Sequence, residues 1–494
     1  MKLSTLLQDQ FSTVSAPDTD ITLVTERAEK ADASSIFVCI CGANFDGHSL
    51  APVAYANGCR VFVAQKELAL PTDALVLVCD NTRAALAHLA CAFYGDPSHE
   101  MRLIGITGTK GKTTTAQLLS HILNRNGIPC GYIGTNGISY ADVTRPTRNT
   151  TPDAITLQQT LCEMHAAGVS TAVIEVSSQA LMQRRADGIR FTGVLFTNLF
   201  PDHIGPNEHT DLADYTACKR RLFTDFDATH AIFNADDAIT PAMARATTAE
   251  RPILCSIKDR DAAFFADHIE LLGADEGLGV RFEVRKGNET HICVLPLIGS
   301  VNVSNALLAL ATANEVFGID LFNAARTLSD ATVAGRSELI PLANGACVVI
   351  DYAHNGASLR QLLTTLREYA PTRLITLFGS IGGRAQLRRR DLGVAAAELS
   401  DLAILTSDNP CYEDPDAIIN EIATAFEGSP TPYVQITDRA QAIRYALGLL
   451  RTGDILVLAG KGHENYQLVG DEKRSFCERS IVMEELKREA LKAQ

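Results

Sequence analysis

Residues 104–115, with the sequence IGITGTKGKTTT, form a glycine-rich turn between an apolar run and a helical pattern. This arrangement predicts a phosphate-binding loop, because glycines let backbone N–H groups approach phosphate oxygens and a helix start carries partial positive charge. The candidate phosphate contacts are Gly108, Thr109, Lys110, Gly111, Lys112, Thr113 and Thr114. Lys112 could bridge two phosphates, and the hydroxyl of Thr113 or Thr114 could bind Mg²⁺. The usual spacing has glycine where this chain has Ile106, so the match is to a shortened loop, and a ligand-free turn is the alternative.

A carboxylate and a histidine follow the next two apolar runs. Glu175 lies near the end of the run at 171–176, where its carboxylate could bind a nucleotide-bound Mg²⁺ or simply cap a helix. His203 follows the run at 193–197 and could bind a second metal ion or be a hydrogen-bonded loop residue. On residue type alone, both alternatives stay open for each side chain.

These side chains must be positioned by strands that end at one edge of a sheet. Apolar runs separated by longer helical patterns predict parallel β-α-β units, and they occur at 103–107, 171–176, 193–197, 346–351, 373–378, 402–406 and 454–459. Between 261 and 296 the alternation weakens, and residues 281–285 (RFEVR) alternate like an exposed antiparallel strand. Shorter runs at 35–40 and 60–64 predict a small α/β domain at the start. We therefore predict an α/β protein with three α/β domains.

Composition excludes several classes of protein. The 494 residues suffice for about three domains, and 46% apolar with 21% charged residues is typical of a folded chain. A formal net charge of −14 argues against general binding of nucleic acid or an anionic membrane, so an anionic ligand needs a local cluster of donors. Thirteen cysteines without a C-x-x-C pair argue against a zinc ribbon or a disulfide scaffold. The start lacks the apolar core of a signal peptide, and no apolar run approaches the ~20 residues that span a bilayer, so we expect a cytoplasmic protein. A monomer is a separate expectation.

A series of ordered motifs resembles the Mur ligases, and among them the UDP-N-acetylmuramoyl-tripeptide synthetases, which add the third residue of the peptidoglycan stem peptide. The motifs are 108–115 (GTKGKTTT), 175–178 (EVSS), Asn198, 202–203 (DH), 215–219 (YTACK), 234–237 (NADD), 302–305 (NVSN), 335–336 (GR), 351–354 (DYAH) and 460–464 (GKGHE). The resemblance covers essentially the whole chain. It implies a small α/β UDP-sugar-binding domain at 1–98, a central P-loop-type ATP-binding ligase domain with a doubly wound, mostly parallel sheet at 99–334, and a Rossmann-like amino-acid-binding domain at 335–494.

The resemblance also implies a reaction and its ligands. ATP and Mg²⁺ would activate the glutamate carboxylate of UDP-MurNAc-L-Ala-D-Glu as an acyl phosphate, which the amine of a free amino acid then attacks. Catalytic roles fall on Lys112, Glu175, His203 and Lys219, the last as a carbamylated lysine. The same comparison assigns metal binding to Thr113, Thr114, Glu175, His203 and Lys219. A solvated helix lysine is the alternative for Lys219.

Further binding residues follow from the same resemblance. Beside the phosphate loop, ATP contacts are implied for Asn302, Arg336, Asp351 and His354, with helix capping as the alternative for Asn302. Contacts to the UDP-sugar peptide are implied for Asn149, Thr150, Thr151, Ser177, Gln183 and Arg185. The amino-acid site is implied at Arg384, Asp408, Asn409, Cys411, Gly460 and Glu464. The uridine-side motif, commonly Asp-Ser-Arg, reads Thr25-Glu26-Arg27 here.

One tetrapeptide bears on which amino acid is added. Family members that add diaminopimelate read Asp-Asn-Pro-Arg, and the arginine binds the distal carboxylate, whereas this chain has Cys411 at that position. Because cysteine cannot make the bidentate contact, the sequence favours L-lysine, whose ammonium Glu413 and Asp414 could attract. Meso-diaminopimelate is the alternative if an arginine within 388–390 replaces the missing one.

Two other classes of protein are more distant alternatives. A folylpolyglutamate synthetase shares the phosphate loop, but it lacks a UDP-binding domain, and this chain has about a hundred residues before the loop. A non-catalytic or amidotransferase-partner protein on a Mur ligase core would not need the four catalytic side chains together.

Overall fold

A computed structural model describes residues 1–7, 11, 19–42, 45–205, 208–250, 252–333, 337–383, 386–462 and 464–492. Contacts divide the chain into two units, residues 1–263 with 308–319, and residues 264–307 with 320–494. Each unit is described by itself.

The first unit begins with a four-stranded parallel sheet. Its strands, in spatial as well as chain order, are β1 (Leu23–Thr25), β2 (Ser35–Val38), β3 (Val61–Ala64) and β4 (Leu75–Val78). Its helices are α1 (Leu3–Leu6), α2 (Ala51–Ala56) and α3 (Thr82–Phe93). The central strands β2 and β3 are buried at every position and apolar except for Ser35, as expected for parallel strands covered on both faces.

A larger sheet in the same unit carries the phosphate loop. Its strands are β5 (Arg102–Thr107), β6 (Cys130–Gly134), β7 (Gly137–Tyr140), β8 (Val143–Arg145), β9 (Thr171–Glu175), β10 (Phe191–Phe196), β11 (Ala228–Asn234) and β12 (Pro252–Ser256). They lie in the order β12-β11-β10-β5-β9-β6-β7-β8, parallel except for the two antiparallel pairs made by β7. The helices are α4 (Lys112–Arg125), α5 (Ala154–Ala166), α6 (Ser178–Met182), α7 (Leu212–Thr224) and α8 (Thr240–Ala246). Because β5, β9 and β10 are adjacent and parallel, their carboxyl ends meet at one edge.

The second unit contains an antiparallel sheet and a mostly parallel one. The antiparallel strands are β13 (Phe264–Leu272), β14 (Gly279–Lys286) and β15 (Glu289–Leu295). Helix α9 (Val301–Glu315) contributes residues to both units, and α10 (Leu321–Arg326) follows it. The other sheet comprises β16 (Glu338–Pro341), β17 (Cys347–Asp351), β18 (Leu374–Phe378), β19 (Leu402–Leu405), β20 (Tyr433–Gln435) and β21 (Ile455–Ala459), in the order β16-β17-β21-β18-β19-β20 with only β16 antiparallel.

Helices cover both faces of this second parallel sheet. They are α11 (Gly356–Arg367), α12 (Gln386–Leu399), α13 (Pro415–Ala423), α14 (Arg439–Gly448) and α15 (Glu478–Lys492), and a hairpin of β22 (Tyr466–Val469) and β23 (Glu472–Ser475) precedes α15. Alternate residues of β17 enter different cores: Val349 packs with α11 to α13, whereas Val348 packs with α14 and α15. This doubly wound arrangement places the ends of β19 and β21 where ligands usually bind.

The α/β class and the strand–helix alternation predicted from the sequence are confirmed. The antiparallel strand predicted at 281–285 is part of β14. The domain boundaries at 98/99 and 334/335 stay predictions. No helix in the described part of the chain is both long enough and apolar enough to cross a membrane.

Candidate active site

The phosphate loop joins the end of β5 to the start of α4. Gly108 and Gly111 have φ values of +149° and +83°, which side-chain-bearing residues rarely adopt. A Cβ atom on Gly108 would lie 1.9 Å from Thr197 Oγ1, so this glycine is also required by close packing. Lys112 Nζ donates to the carbonyls of Gly108 and Thr109, at 2.8 and 3.0 Å. The carbonyls of the loop therefore surround the ammonium of its own Lys112.

The segment after β10 fixes the outer side of this loop. The backbone N–H of Lys110 donates to Asn198 Oδ1 at 2.9 Å, and that of Thr109 donates to the Asn198 carbonyl at 2.9 Å. Thr197 Oγ1 donates to the Lys110 carbonyl at 2.6 Å. Two adjacent strands thus hold the phosphate loop in one conformation.

Glu175, at the end of β9, is fully buried and receives four hydrogen bonds. Thr113 Oγ1 donates to Oε2 at 3.0 Å, and Tyr132 donates to Oε1 at 2.5 Å. The backbone N–H and hydroxyl of Thr135 donate to Oε1 and Oε2, at 3.0 and 3.1 Å. The predicted proximity of Glu175 to the loop is confirmed. Tyr132 and Thr135 were not predicted from the sequence, although Thr135 also follows a strand end.

Lys219 lies on the buried face of α7, which begins at a cap formed by Asp211. Its side chain is 1% exposed, and Nζ donates to the Gly108 carbonyl at 2.8 Å. Nζ also lies 4.4 Å from the centroid of the Tyr215 ring. Burial, reinforced by the charge of Lys112, lowers the pKa of Lys219 well below its ordinary value. The solvated-lysine alternative is wrong, because Lys219 points into the phosphate loop.

His203 lies nearby on a more exposed loop. Its side chain is 46% exposed, and Nδ1 lies 3.1 Å from Glu208 Oε1. The backbone N–H of His209 donates to the His203 carbonyl at 3.0 Å. The ring of His209 itself is buried, with Nδ1 3.1 Å from Asp214 Oδ2. The structure therefore has His203 as a hydrogen-bonded loop residue that also faces the cavity described next.

These groups surround a cavity of about 300 Å³. Its lining residues are Lys112, Arg148, Asn149, Thr150, Ser177, Ser178, Gln179, Arg185, His203, Tyr215 and Lys219. Within the described ranges, no three His, Cys, Asp or Glu side chains converge as a ready-made metal site. Cationic and hydroxyl groups instead dominate the lining, which suits phosphoryl oxygens.

A second cavity, of about 550 Å³, has several of the same residues in its wall. Its charged lining residues are Glu26, Arg27, Arg83, Arg145, Arg148, Asp153 and Arg185. Asn149 and Gln183 also line it. This arginine cluster is the local group of donors that an acidic chain needs to hold an anion.

The residues predicted to bind the UDP-sugar peptide differ in their exposure to these cavities. Gln183 Oε1 accepts from Arg185 Nε and Nη2, at 3.1 and 2.7 Å, and orients the guanidinium. Ser177 caps α6 and lines the smaller cavity. Thr151 lines neither, because its buried hydroxyl donates to the Glu175 carbonyl at 2.7 Å and its own carbonyl accepts from Arg185. Thr151 is therefore placed to position its neighbours.

Three predicted ATP-binding residues lie in the second unit, where each has local partners. Asn302 Nδ2 donates to the Ile298 carbonyl at 2.7 Å, in the first turn of α9, and its Oδ1 accepts from Asn305 Nδ2 at 2.9 Å, so neither bond is the helix cap named as its alternative. Asp351 accepts from the backbone N–H groups of Ser337 and Ala353. His354 Nδ1 lies 2.8 Å from the Tyr352 carbonyl. The fourth, Arg336, lies outside the described residues.

The predicted amino-acid site forms where β19 and β21 end. Lys461 is fully buried, and its Nζ lies 3.2 Å from Asp408 Oδ1, 3.0 Å from Asn409 Oδ1 and 3.2 Å from Glu464 Oε2. Asn409 Nδ2 donates to the same Glu464 oxygen at 3.1 Å. Lys461 follows Gly460, and the sequence analysis missed it although it lies within the GKGHE motif. One buried ammonium therefore joins three of the predicted residues.

Two of the three candidate replacements for an arginine at position 411, Arg388 and Arg389, have partners elsewhere. Arg389 is 3% exposed and pairs with Glu413 at 2.6 Å and Glu421 at 2.8 Å. Arg388 Nε donates to the His354 carbonyl at 2.9 Å, and Arg390 is exposed. Arg389 is therefore unsuited to replace the missing arginine, and its pairing also corrects the ammonium-binding role expected of Glu413.

Two further expectations concern the same loop. Asp414 caps α13 by accepting from the Asp416 N–H at 3.1 Å, so its carboxylate serves the helix rather than a ligand. Arg384 lies outside the described residues.

Comparison with known proteins agrees with this geometry. The family model for the Mur ligase middle domain matches residues 106–313, and that for the Mur ligase glutamate ligase domain matches residues 335–462. A Bacillus cereus protein named UDP-N-acetylmuramoyl-L-alanyl-D-glutamate–2,6-diaminopimelate ligase is 35% identical over 98% of both chains. A Chlorobaculum tepidum protein of the same name is 38% identical over 94% of this chain and 92% of its own.

Solved structures give the same result at the level of fold. A structure with that same ligase name has a TM-score of 0.77 at 27% identity and covers 99% of this chain and 100% of its own. Folylpolyglutamate synthase of Mycobacterium tuberculosis has a TM-score of 0.57 at 19% identity, over 77% of this chain and 92% of its own, which shows a likeness of fold alone. With relatives above 30% identity along nearly the whole chain, this protein belongs to the Mur ligase family of ATP-dependent ligases.

Proposed function

We propose that the chain joins meso-diaminopimelate to the D-glutamate of UDP-MurNAc-L-Ala-D-Glu, with hydrolysis of ATP, as a cytoplasmic step of peptidoglycan precursor synthesis. The names of the relatives favour diaminopimelate over the lysine predicted from Cys411. Glu413 pairs with Arg389, so its carboxylate is already neutralised. This removes one reason to expect a substrate with a lysine ammonium. The observation that carries the proposal is the cavity where Lys112, His203 and Lys219 face one another beside an arginine-lined cavity.

The reaction divides into two steps that these cations can assist. The substrate carboxylate attacks the γ-phosphorus of ATP, the bond to the β-phosphate oxygen breaks, and an acyl phosphate and ADP form. The amine of the amino acid then attacks the acyl carbon, phosphate leaves, and the amine loses a proton. Both steps concentrate negative charge, so Lys112 would turn from the loop carbonyls to the phosphates and stabilise that charge.

The residues near the phosphate loop fit Mg²⁺. The Thr113 hydroxyl and the Glu175 carboxylate lie 3.0 Å apart and are the hard oxygen ligands that Mg²⁺ prefers, and Thr114 follows one residue later. When bound, Mg²⁺ would neutralise charge on the phosphate oxygens. His203 and a carbamylated Lys219 would hold a second ion, whereas an unmodified ammonium at Lys219 would repel it.

Carbamylation of Lys219 requires a neutral amine close to the phosphates. Its Nζ would attack CO₂, form an N–C bond and release a proton, which gives a carboxylate-like anion at the same position. The buried position of Nζ beside the Gly108 carbonyl and the Tyr215 ring supports this assignment.

The wild-type enzyme, assayed with UDP-MurNAc-L-Ala-D-Glu, ATP and MgCl₂, tests the proposal. ADP release and product mass are measured with meso-diaminopimelate and, separately, with L-lysine. We expect the diaminopimelate tripeptide, with kcat/KM about a hundredfold above that for lysine, since a buried site for a charged group rejects a substrate that lacks it. A preference for lysine would overturn the choice of amino acid. Absence of ADP release with both amino acids would overturn the ligase reaction itself, and a Lys112→Met preparation controls for contaminating ligases.

A further inference from the structure

The hairpin of β22 and β23 is attached to the loop that carries Cys411. The backbone N–H of Cys411 donates to the Leu468 carbonyl at 3.1 Å, and that of Gly470 donates to the Cys411 carbonyl at 2.6 Å. The backbone N–H of Leu468 donates to Asn409 Oδ1 at 2.9 Å. The hairpin therefore lies against residues 409–411 through one parallel bridge between Cys411 and Val469, next to the position where diaminopimelate-adding relatives would have their arginine.

This hairpin brings a cation towards the site. Lys473 pairs with Leu468 across the hairpin, so their side chains share one face with Tyr466, two residues before Leu468. Lys473 Nζ lies 3.8 Å from the centroid of the Tyr466 ring, and Lys461 Nζ lies 5.9 Å from the same centroid. The ring of Tyr466 is thus close to both the exposed ammonium of Lys473 and the buried ammonium of Lys461.

Neighbouring cations are less suited to bind a further carboxylate. Lys461 already has three oxygen partners. Arg474 already pairs with Glu472, which engages its guanidinium, and it lies opposite Gln467, whose Nε2 donates to Ser407 Oγ at 3.3 Å. Among the residues that the structure describes, no carboxylate pairs with Lys473, whose recorded contact is the Tyr466 ring.

We infer that Lys473, held against Tyr466, determines specificity by binding the distal carboxylate of the incoming amino acid in place of an arginine at position 411. The inference rests on the proposed function, because only an amino acid such as diaminopimelate carries that carboxylate. Its two amino-acid ends are four carbon–carbon bonds apart, about 5 Å when extended, so the distal carboxylate needs a cation apart from the cluster that Lys461 already holds. Lysine lacks the distal carboxylate and would bring its ammonium towards another ammonium.

The test compares Lys473→Met with Arg474→Met, a matched loss of one cation from the same strand. For Lys473→Met we expect kcat/KM for meso-diaminopimelate to fall about tenfold to a hundredfold, mainly through KM, while the KM values for ATP and UDP-MurNAc-L-Ala-D-Glu stay unchanged. The low activity with L-lysine should stay the same or rise. Arg474→Met should behave as wild type, and Lys473→Arg should keep most of the activity.

Adding the arginine that relatives use provides an independent check. Cys411→Arg should restore diaminopimelate use in the Lys473→Met background, because the new guanidinium would reach the same carboxylate. A Lys473→Met enzyme with an unchanged ratio of diaminopimelate to lysine activity would overturn the inference and leave the proposed function standing. A wild-type enzyme that prefers lysine would instead overturn the proposed function before any variant is measured.

Discussion

Replacing Arg439 with methionine should weaken the hydrogen bonds that hold the predicted amino-acid site in place. Arg439 is the first residue of α14 and is almost completely buried. Its Nε donates to Glu478 Oε1 at 2.8 Å, and its Nη2 and Nη1 donate to the carbonyls of Ala459 and Ser407, at 2.7 and 3.4 Å. Those carbonyls immediately precede Gly460 and Asp408. One guanidinium therefore ties together the two strand ends that form the site.

The size of the effect follows from what Arg439→Met leaves behind. Removing one partner of a buried ion pair destabilises a protein by about 3–5 kcal/mol, because the other charge stays buried. Each backbone carbonyl left without a donor adds about 1–3 kcal/mol when no water replaces it. Replacing both charged side chains, with Arg439→Met and Glu478→Leu together, removes the uncompensated charge. We therefore expect the double variant to be more stable than Arg439→Met.

The effect should also depend on pH. Burial raises the pKa of Glu478, and Arg439 opposes that rise, so the pKa should rise further in Arg439→Met. A carboxyl whose pKa is higher in the folded state stabilises folding below its unfolded pKa and loses that contribution as pH increases through the folded value. The destabilisation of Arg439→Met should therefore be smallest at acidic pH and should grow towards neutral pH.

Urea unfolding followed by circular dichroism measures these differences, since the chain has no tryptophan to report by fluorescence. Arg360→Met is the control, because Arg360 pairs with Glu398 on exposed helix surfaces and should change stability by about 1 kcal/mol or less. The KM for the amino acid should rise in Arg439→Met while that for ATP changes little. A loss of stability no larger than that of Arg360→Met, with no recovery in the double variant, would refute the reasoning.

Three further substitutions test the phosphate side of the site. Lys112→Met should lower kcat/KM by about a hundredfold or more with only a small shift of the unfolding midpoint, because its ammonium lies outside the cores and donates only to two loop carbonyls. Gly108→Ala should abolish ATP-dependent turnover and lower stability, since its Cβ would lie 1.9 Å from Thr197 Oγ1; normal ADP release would contradict the loop geometry. Lys219→Ala should be inactive but partly rescued by acetate, and crystallographic density for a bare amine in the wild type, with no rescue, would count against a carbamate.

The sequence predicts well those features that depend on neighbouring residues. Apolar runs that end in polar residues predicted β5, β9 and β10, and the strands are adjacent and parallel. Their carboxyl ends consequently bring Gly108, Glu175 and Asn198 together, as strand-end placement requires. The glycine-rich turn was similarly predictable, because its positive φ values restrict the residue type locally.

Partners that come from distant parts of the chain were not predictable in this way. Glu175 is held by Tyr132 and Thr135, which belong to a different strand and its following turn. Arg389 had the right charge to replace an arginine at position 411, but two carboxylates from other elements hold it. Charge and spacing show what a side chain could bind, whereas only packing decides which partner it has.

Cys411 shows how this difference affects a functional conclusion. The missing arginine suggested lysine as substrate, because cysteine cannot bind a distal carboxylate and lysine has none, and arginines 388–390 were the candidate replacements that would restore diaminopimelate. The hairpin offers a different candidate cation, Lys473, because β22 bonds to the Cys411 loop and β23, which carries Lys473, pairs with β22. A specificity motif therefore has to be interpreted together with the strands that pack beside it, since a hairpin from a later part of the chain can bring a further cation near the same loop.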